Sequence, residues 1–359
     1  EETERRVALV IGNSRYQHAP ELSNPVTDAK AISESFRRLG LDVTEGYDLN
    51  EREMRALMVK FANTMAGAKG AVVFYAGHGV ALDGEIADRG AGGAQLDFAG
   101  ALVNFGQLQL DGSYGAAASL ATVAGLLRNH GSVQLGAYGP GAPTSATALQ
   151  AGSLTNYRSL AIGDNGGPAG VVSLGGVDNR GALRIGAAGS LSVQSGAFVQ
   201  VAGTTTVSGS LSAESVAVNG GKLEFASDLS TADAIGAFNI GVGGDLAFDG
   251  AVQSNRTVTF AKSGGLLELS APAFAGAIAG WGGQSVIDVK NLKRSAIIGY
   301  TYAGDASSGT LTLKLAGGGS DKLRFTGAYL RGNFRLLDDG QNGTYIVSAG
   351  LDVWSGVGD

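Results

Sequence analysis

Apolar positions in the first 85 residues follow two alternating periods. Arg6-Val-Ala-Leu-Val-Ile11 is a short continuous apolar run ended by Gly12-Asn13, the pattern of a buried parallel strand. Asn24-Pro25 reads as a helix cap followed by a first-turn proline, and Ala29, Ile32, Phe36 and Leu39 recur at helical spacing until Gly40. A second short strand over 41–44 leads to Asn50, with Glu53 three positions on as in a capping box. Met54, Leu57, Met58, Phe61 and Met65 then form one apolar stripe, expected to face a core, and Gly67 ends it. Ala71-Val-Val-Phe-Tyr75 is a third buried strand that runs into Ala76-Gly77-His78-Gly79. The β-α-β-α-β order predicts a small parallel sheet with flanking helices.

Beyond Gly84-Glu85 the pattern changes. Brief alternating stretches such as Leu183-Arg-Ile185, Leu191-Ser-Val193, Thr205-Thr-Val207, Val216-Ala-Val218 and Leu223-Glu-Phe225 are separated by glycine-bearing turns. Strand centres about 6 to 9 residues apart are closer than in most sandwiches. They predict an all-β coil, a right-handed parallel β-helix or solenoid with about 20 or more residues per turn. A sandwich or barrel is the alternative, and a short helix is expected near Ala117–Leu127. The expected organisation is thus an α/β segment over residues 1–85 and a glycine-rich solenoid over 86–359.

Composition sharpens that boundary. Of 59 Gly only 8 precede residue 86, whereas all three Met do. The net charge of −6 and the lack of any Lys/Arg cluster argue against a nucleic-acid partner. Arg37-Arg38 reads as a solvated helix face, and no apolar run is long enough for a transmembrane helix. With no Cys in 359 residues, disulfides and thiolate metal sites are excluded. The chain opens on Glu1 rather than Met, which suggests a trimmed or mature product.

Arg5-Arg6-Val-Ala-Leu-Val-Ile-Gly-Asn13, Tyr16, Leu22-Ser-Asn-Pro-Val-Thr-Asp28-Ala29 and Phe74-Tyr75-Ala76-Gly77-His78-Gly79 together resemble the first half of bacterial caspase-like (metacaspase-related) peptidase domains. The resemblance implies that His78 takes the catalytic histidine position. It also implies a cysteine partner at the end of the next strand, meeting the histidine at the carboxyl edge of the sheet. Asp28 matches the acidic position that helps form the substrate pocket for basic residues, although Thr27 replaces the usual Asn. Where the family continues to Asp-x-Cys, this chain runs into Gly90-Ala-Gly-Gly93, and it has no cysteine. The expectation is a catalytically incomplete domain.

Gly196–Leu211 with Val216–Leu223 resembles repeats of bacterial adhesins and autotransporter passengers, and Leu323–Thr344 a tail repeat of large secreted proteins. That likeness implies a secreted or surface protein of a Gram-negative bacterium, with the periplasm as second choice. Its partners would be a host-cell surface, glycan or matrix. Two alternatives stay open: a peptidase with a non-standard nucleophile, and a fusion of a peptidase gene with an adhesin gene. No cofactor and no metal site are expected. Asp338-Asp339-Gly340 with Asn342-Gly343 offers oxygen ligands but reads as a hairpin turn, as does Asp164–Pro168. His18 and His130 stand alone, and Trp281 and Trp354 are expected to pack.

Overall fold

The computed structural model describes residues 5–16, 21–77, 84–86, 95–110, 118–136, 146–164, 170–229, 233–270 and 273–349. They divide into two compact units, residues 1–177 with 182–195 and residues 178–181 with 196–359.

In the first unit, β1 (Arg6–Gly12), α1 (Pro25–Arg38), β2 (Asp42–Tyr47), α2 (Glu51–Thr64) and β3 (Gly70–Ala76) follow the predicted alternation. β1 lies between β2 and β3, parallel to both, with Val7, Ala8 and Val10 wholly buried. Gly12 lets the first helix approach: a Cβ there would sit 2.6 Å from both the Ala29 side chain and the Pro25 carbonyl. The buried face of α1 is Pro25, Ala29 and Ser33, while Leu39 is exposed.

The two predicted helix starts turn out differently. At α2 the Asn50 carboxamide accepts from the Glu53 N–H at 3.0 Å, and the Glu53 carboxylate accepts from the Asn50 N–H at 3.0 Å. At α1 the Asn24 side chain makes no cap; Ser14 Oγ accepts the Val26 N–H at 3.3 Å instead. The methionine stripe is not a core either. Phe61 alone of the five is buried, and Met58 and Met65 are exposed. The second helix lies against the edge of a small sheet that has little apolar area to cover it.

β4 (Gly84–Ile86) and β5 (Gln95–Phe98) follow. β5 pairs in parallel with β3, Val72 opposite Gln95 through Tyr75 opposite Phe98. The edge of the α/β sheet is therefore closed by the first of the coils, which satisfies backbone groups that would otherwise be unpaired. The strand Leu120–Asn129 pairs with β5 and with Leu102–Asn104, and Thr147–Asn156 pairs with it in turn. Gly170–Leu174 and Gly189–Val193 extend the same stack. The other face is built by β4, Gln107–Leu110, Ser132–Leu135, Ser159–Ile162 and Ala182–Ile185, all parallel and in register. This is a parallel β-solenoid, as the short alternating stretches predict. The helix expected near Ala117–Leu127 does not form. Its residues from Leu120 belong to a ten-residue strand whose alternating side chains Ala121, Val123, Leu127 and Asn129 point inward.

Inward-facing Leu108, Val133, Leu160 and Leu183 stack one above another, each about 1% exposed. Burying each such side chain contributes roughly 1.5–3 kcal/mol. At one corner the stack is polar. Asn104, Asn129 and Asn156 are buried, and each carboxamide donates to the next, Asn104 Nδ2 to Asn129 Oδ1 and Asn129 Nδ2 to Asn156 Oδ1, both 2.8 Å. On the residues that follow, Phe105, His130 and Tyr157 form a stacked column, with ring centroids 5.0 and 4.4 Å apart. The lone His130 thus packs between two aromatic rings.

The second unit repeats the parallel pattern. Thr204–Val207, Gly221–Phe225, Gly244–Phe248, Leu266–Ser270 and Val286–Lys290 form one face. It then changes to antiparallel pairing in Ile297–Gly304, Ser308–Leu315 and Ser320–Thr326 and in the hairpin Phe334–Asp338 with Thr344–Ser348. Asp338–Gly343 forms the hairpin turn read from sequence, with the Asp338 carboxylate accepting the Gly340 N–H at 2.8 Å. Trp281 packs as expected, 4% exposed and stacked on Phe334 at 5.1 Å. Trp354, His18 and residues 165–168 lie outside the described residues.

The parallel face of this unit carries a network of charges. Lys222 Nζ lies 3.0 Å from the Glu268 carboxylate and 3.8 Å from Asp245, and Lys290 bridges Glu268 and Asp249. Burial, then the neighbouring Glu268 charge, pushes the Asp245 carboxyl up to about 7. Asp245 is the member of that pair that takes the proton, because Glu268 is held by both lysines. The folded state then binds a proton that an unfolded Asp releases near pH ~3.9. Stability from this group accordingly falls as pH rises from about 4 to about 7. Asp245→Asn is expected to raise unfolding free energy by about 1–2 kcal/mol at alkaline pH, the lysines screening the rest, and to change little in acid. Urea titrations of both proteins at pH 4.5 and 8 check this, and an equal effect at both values contradicts it.

Candidate functional site

The carboxyl edge of a parallel sheet is where an open α/β fold places its chemistry. Here β1 ends at Gly12, and Asn13 joins the three strand ends together. Its N–H donates to the Ala76 carbonyl at 2.8 Å, while its side chain both donates to the Leu49 carbonyl and accepts the Leu49 N–H at 3.0 Å. Asp48 follows β2 with φ of 48°. Its carboxylate accepts the Ser14 N–H at 2.8 Å, the Arg15 N–H at 3.1 Å and Arg15 Nε at 3.1 Å. Those bonds, the Ser14 amide foremost, hold its pKa below the usual carboxylate range.

An open concavity of about 910 Å³ lies beside this edge. Its charged lining is Arg15, Arg52, Arg55, Asp48 and Glu51. Arg15 pairs with Asp48 and Arg55 with Glu51, both at 3.1 Å. Among the described residues the lining includes no Ser, Thr, Cys or His. The concavity is equipped for polar contacts, and its two carboxylates, Asp48 and Glu51, are each paired with an arginine. Asn13, Tyr16 and Asn50 figure in the sequence reading in other roles, but its charged residues do not; their signal is the acidic and basic run around Asp48-Leu-Asn50 and Arg52.

At the end of β3, Tyr75 Oη lies 3.2 Å from Tyr16 Oη, and Tyr16 Oη donates to the Asn13 carbonyl at 2.8 Å. Burial, then the Tyr16 hydroxyl, pushes the Tyr75 phenol well above its ordinary range, so Tyr75 remains a neutral hydrogen-bonding group. Gly77 follows against those rings, where any Cβ would strike the Tyr16 and Tyr75 hydroxyls. His78, the expected catalytic histidine, lies outside the described residues, as do Gly79 and Gly90–Gly93. Asp28 is exposed on the first turn of α1 and is not part of the concavity's lining.

The strand beside β3 is β5. The resemblance leads one to expect a nucleophile at the end of a strand after the histidine motif, and β5 is the later strand that pairs with β3. Here its carboxyl end continues as Phe98-Ala99-Gly100-Ala101, which offers neither thiol nor hydroxyl.

Comparison with known proteins agrees with the N-terminal resemblance. A caspase-domain family model matches residues 5–102. The chain is 35% identical over 74 residues to the human (Homo sapiens) mucosa-associated lymphoid tissue lymphoma translocation protein 1, and 34% identical over 74 residues to the mouse (Mus musculus) homolog. Those stretches make up 21% of this chain and 9% of each relative, so the chain spans less than a tenth of the length of the curated relatives it matches.

Proposed function

We propose that this protein is a β-solenoid binding scaffold whose caspase-like segment is catalytically incomplete. The observation that carries this reading is the end of β5: the strand paired with β3 closes on Phe98-Ala99-Gly100, in a sequence with no cysteine. Acyl transfer needs an attacking thiolate or activated hydroxyl within hydrogen-bond reach of its base. In this reading the caspase-like strands serve the solenoid as a folded start, supplying a parallel edge on which the first coil forms. The glycine-rich coils and the resemblance to adhesin repeats support an exported, surface-exposed role in contact with a host cell, glycan or matrix.

The test is hydrolysis of arginyl and lysyl fluorogenic peptides by the full chain, with and without Ca²⁺. No turnover above buffer is expected, and His78→Ala is expected to change nothing. Cleavage that His78→Ala abolishes would replace this reading with a peptidase using an unconventional nucleophile.

A further inference from the structure

In the second unit the strand Thr344–Ser348 lies antiparallel to Val286–Lys290, which sets Asp288 opposite Tyr345. Asp288 is 9% exposed, and its Oδ1 is buried without a hydrogen-bond partner. An ionised oxygen shut away from water and from donors is unfavourable unless a cation or a proton meets it. The hairpin turn brings a second carboxylate to the same place. Asp339 Oδ1 accepts the Gln341 N–H at 2.6 Å and the Gly343 N–H at 2.7 Å, which fixes that side chain over Gly343. A Cβ added at Gly343 would press on Asp339 Oδ2 and lie 3.0 Å from Asp288 Oδ1. Carboxylate oxygens from a strand and from the hairpin turn therefore converge over one glycine.

The lysines nearby are engaged elsewhere: Lys290 with Asp249 and Glu268, Lys222 with Glu268 and Asp245. We propose that Asp288 and Asp339 are the protein ligands of a calcium site that ties the terminal hairpin to the solenoid face. Hard oxygen donors suit calcium. Calcium also tolerates an irregular shell completed by water, whereas magnesium requires a near-ideal octahedron and gives up water reluctantly. Two carboxylates without a third protein acid make the site weak, with Kd on the order of 10⁻⁴–10⁻³ M. Gly343 contributes by having no side chain, since a methyl group there would press on both carboxylate oxygens.

Thermal unfolding of the full chain in EDTA, then with about 5 mM CaCl₂ or MgCl₂, tests the proposal. Calcium is expected to raise the midpoint by about 2–4 °C and magnesium by less than half as much. Asp288→Asn is expected to abolish the calcium shift while keeping the fold, because the new carboxamide preserves volume and can donate to Asp339. Gly343→Ala, which keeps both carboxylates and fills the space between them, is expected to abolish it as well. No calcium shift, an equal shift with magnesium, or a shift retained in Asp288→Asn would each overturn the assignment. If Gly343→Ala disturbs the turn, Asp288→Asn alone decides.

Discussion

Phe248→Ala is expected to lower the unfolding free energy of this protein by about 3–5 kcal/mol. Phe248 is 1% exposed and lies at the centre of an aromatic cluster. Its ring stacks on Phe225 at 5.4 Å, meets Phe238 edge-on at 5.5 Å and approaches Phe274 at 5.9 Å. Truncation removes the transfer energy of a large side chain, opens a cavity between coils, and deletes ring–ring contacts worth about 0.5–1.5 kcal/mol each. The backbone cannot collapse into that space, because Gly244–Phe248 is hydrogen-bonded in register to strands on both sides. Denaturant titration measures the change, and Phe248→Leu should recover more than half of it. A loss below about 1 kcal/mol would mean that the coil relaxes around the cavity.

Asn129→Ala comes next, at about 3 kcal/mol or more, by a polar mechanism. The Asn129 carboxamide accepts from Asn104 Nδ2 and from the Gly131 N–H at 3.2 Å. It donates to Asn156 Oδ1 and to the Ser159 carbonyl, both at 2.8 Å. Removing it deletes the bonds to Asn104, Asn156 and Ser159 on two neighbouring coils in a site closed to water, and losing a buried pairing costs about 1–3 kcal/mol per group. Asn129→Asp separates the two halves of the function: it keeps the acceptor, loses both donors and introduces a buried charge, so it should be no better than alanine at neutral pH. Thermal unfolding of the three proteins checks the ranking, and an alanine variant within about 0.5 kcal/mol of the parent would show that the ladder is dispensable.

Legibility from sequence tracked how local each cause is. The Asn50–Glu53 capping box was readable because cap and partner lie within one turn, and the structure forms both of its bonds. Asn24 failed as a cap because its replacement, Ser14 Oγ, comes from a loop ten residues earlier and is invisible to local pattern. The error at Ala117–Leu127 has a geometric reason. The strand Leu120–Asn129 turns a corner, and the partner strand shifts register between Ala151 and Ser153. The inward side chains keep the two-residue parity of a strand but skip Gly125, so Val123 and Leu127 stand four apart, which mimics a helical repeat. The asparagine ladder was missed although Asn104, Asn129 and Asn156 recur at separations of 25 and 27 residues. Asking for a single polar residue type at the coil period would have found it. Of the expected site, the order of elements up to Ala76 was legible, but the charged lining of the concavity was not, since Arg15 and Arg52 come to line one concavity only after β1 and β2 pair.

The pairing of β3 with β5 also bears on how such a chain varies in length. Sheet spacing is a generic property of the backbone, so Val72–Tyr75 accepts a parallel neighbour through main-chain groups alone and places no demand on which side chains follow. A whole turn of coil inserted or deleted after Phe98 leaves every contact of Arg6–Ala76 with β5 untouched, because each turn answers only to the turns above and below it. Reach can therefore be lengthened or shortened in whole-turn steps while the starting fold stays constant.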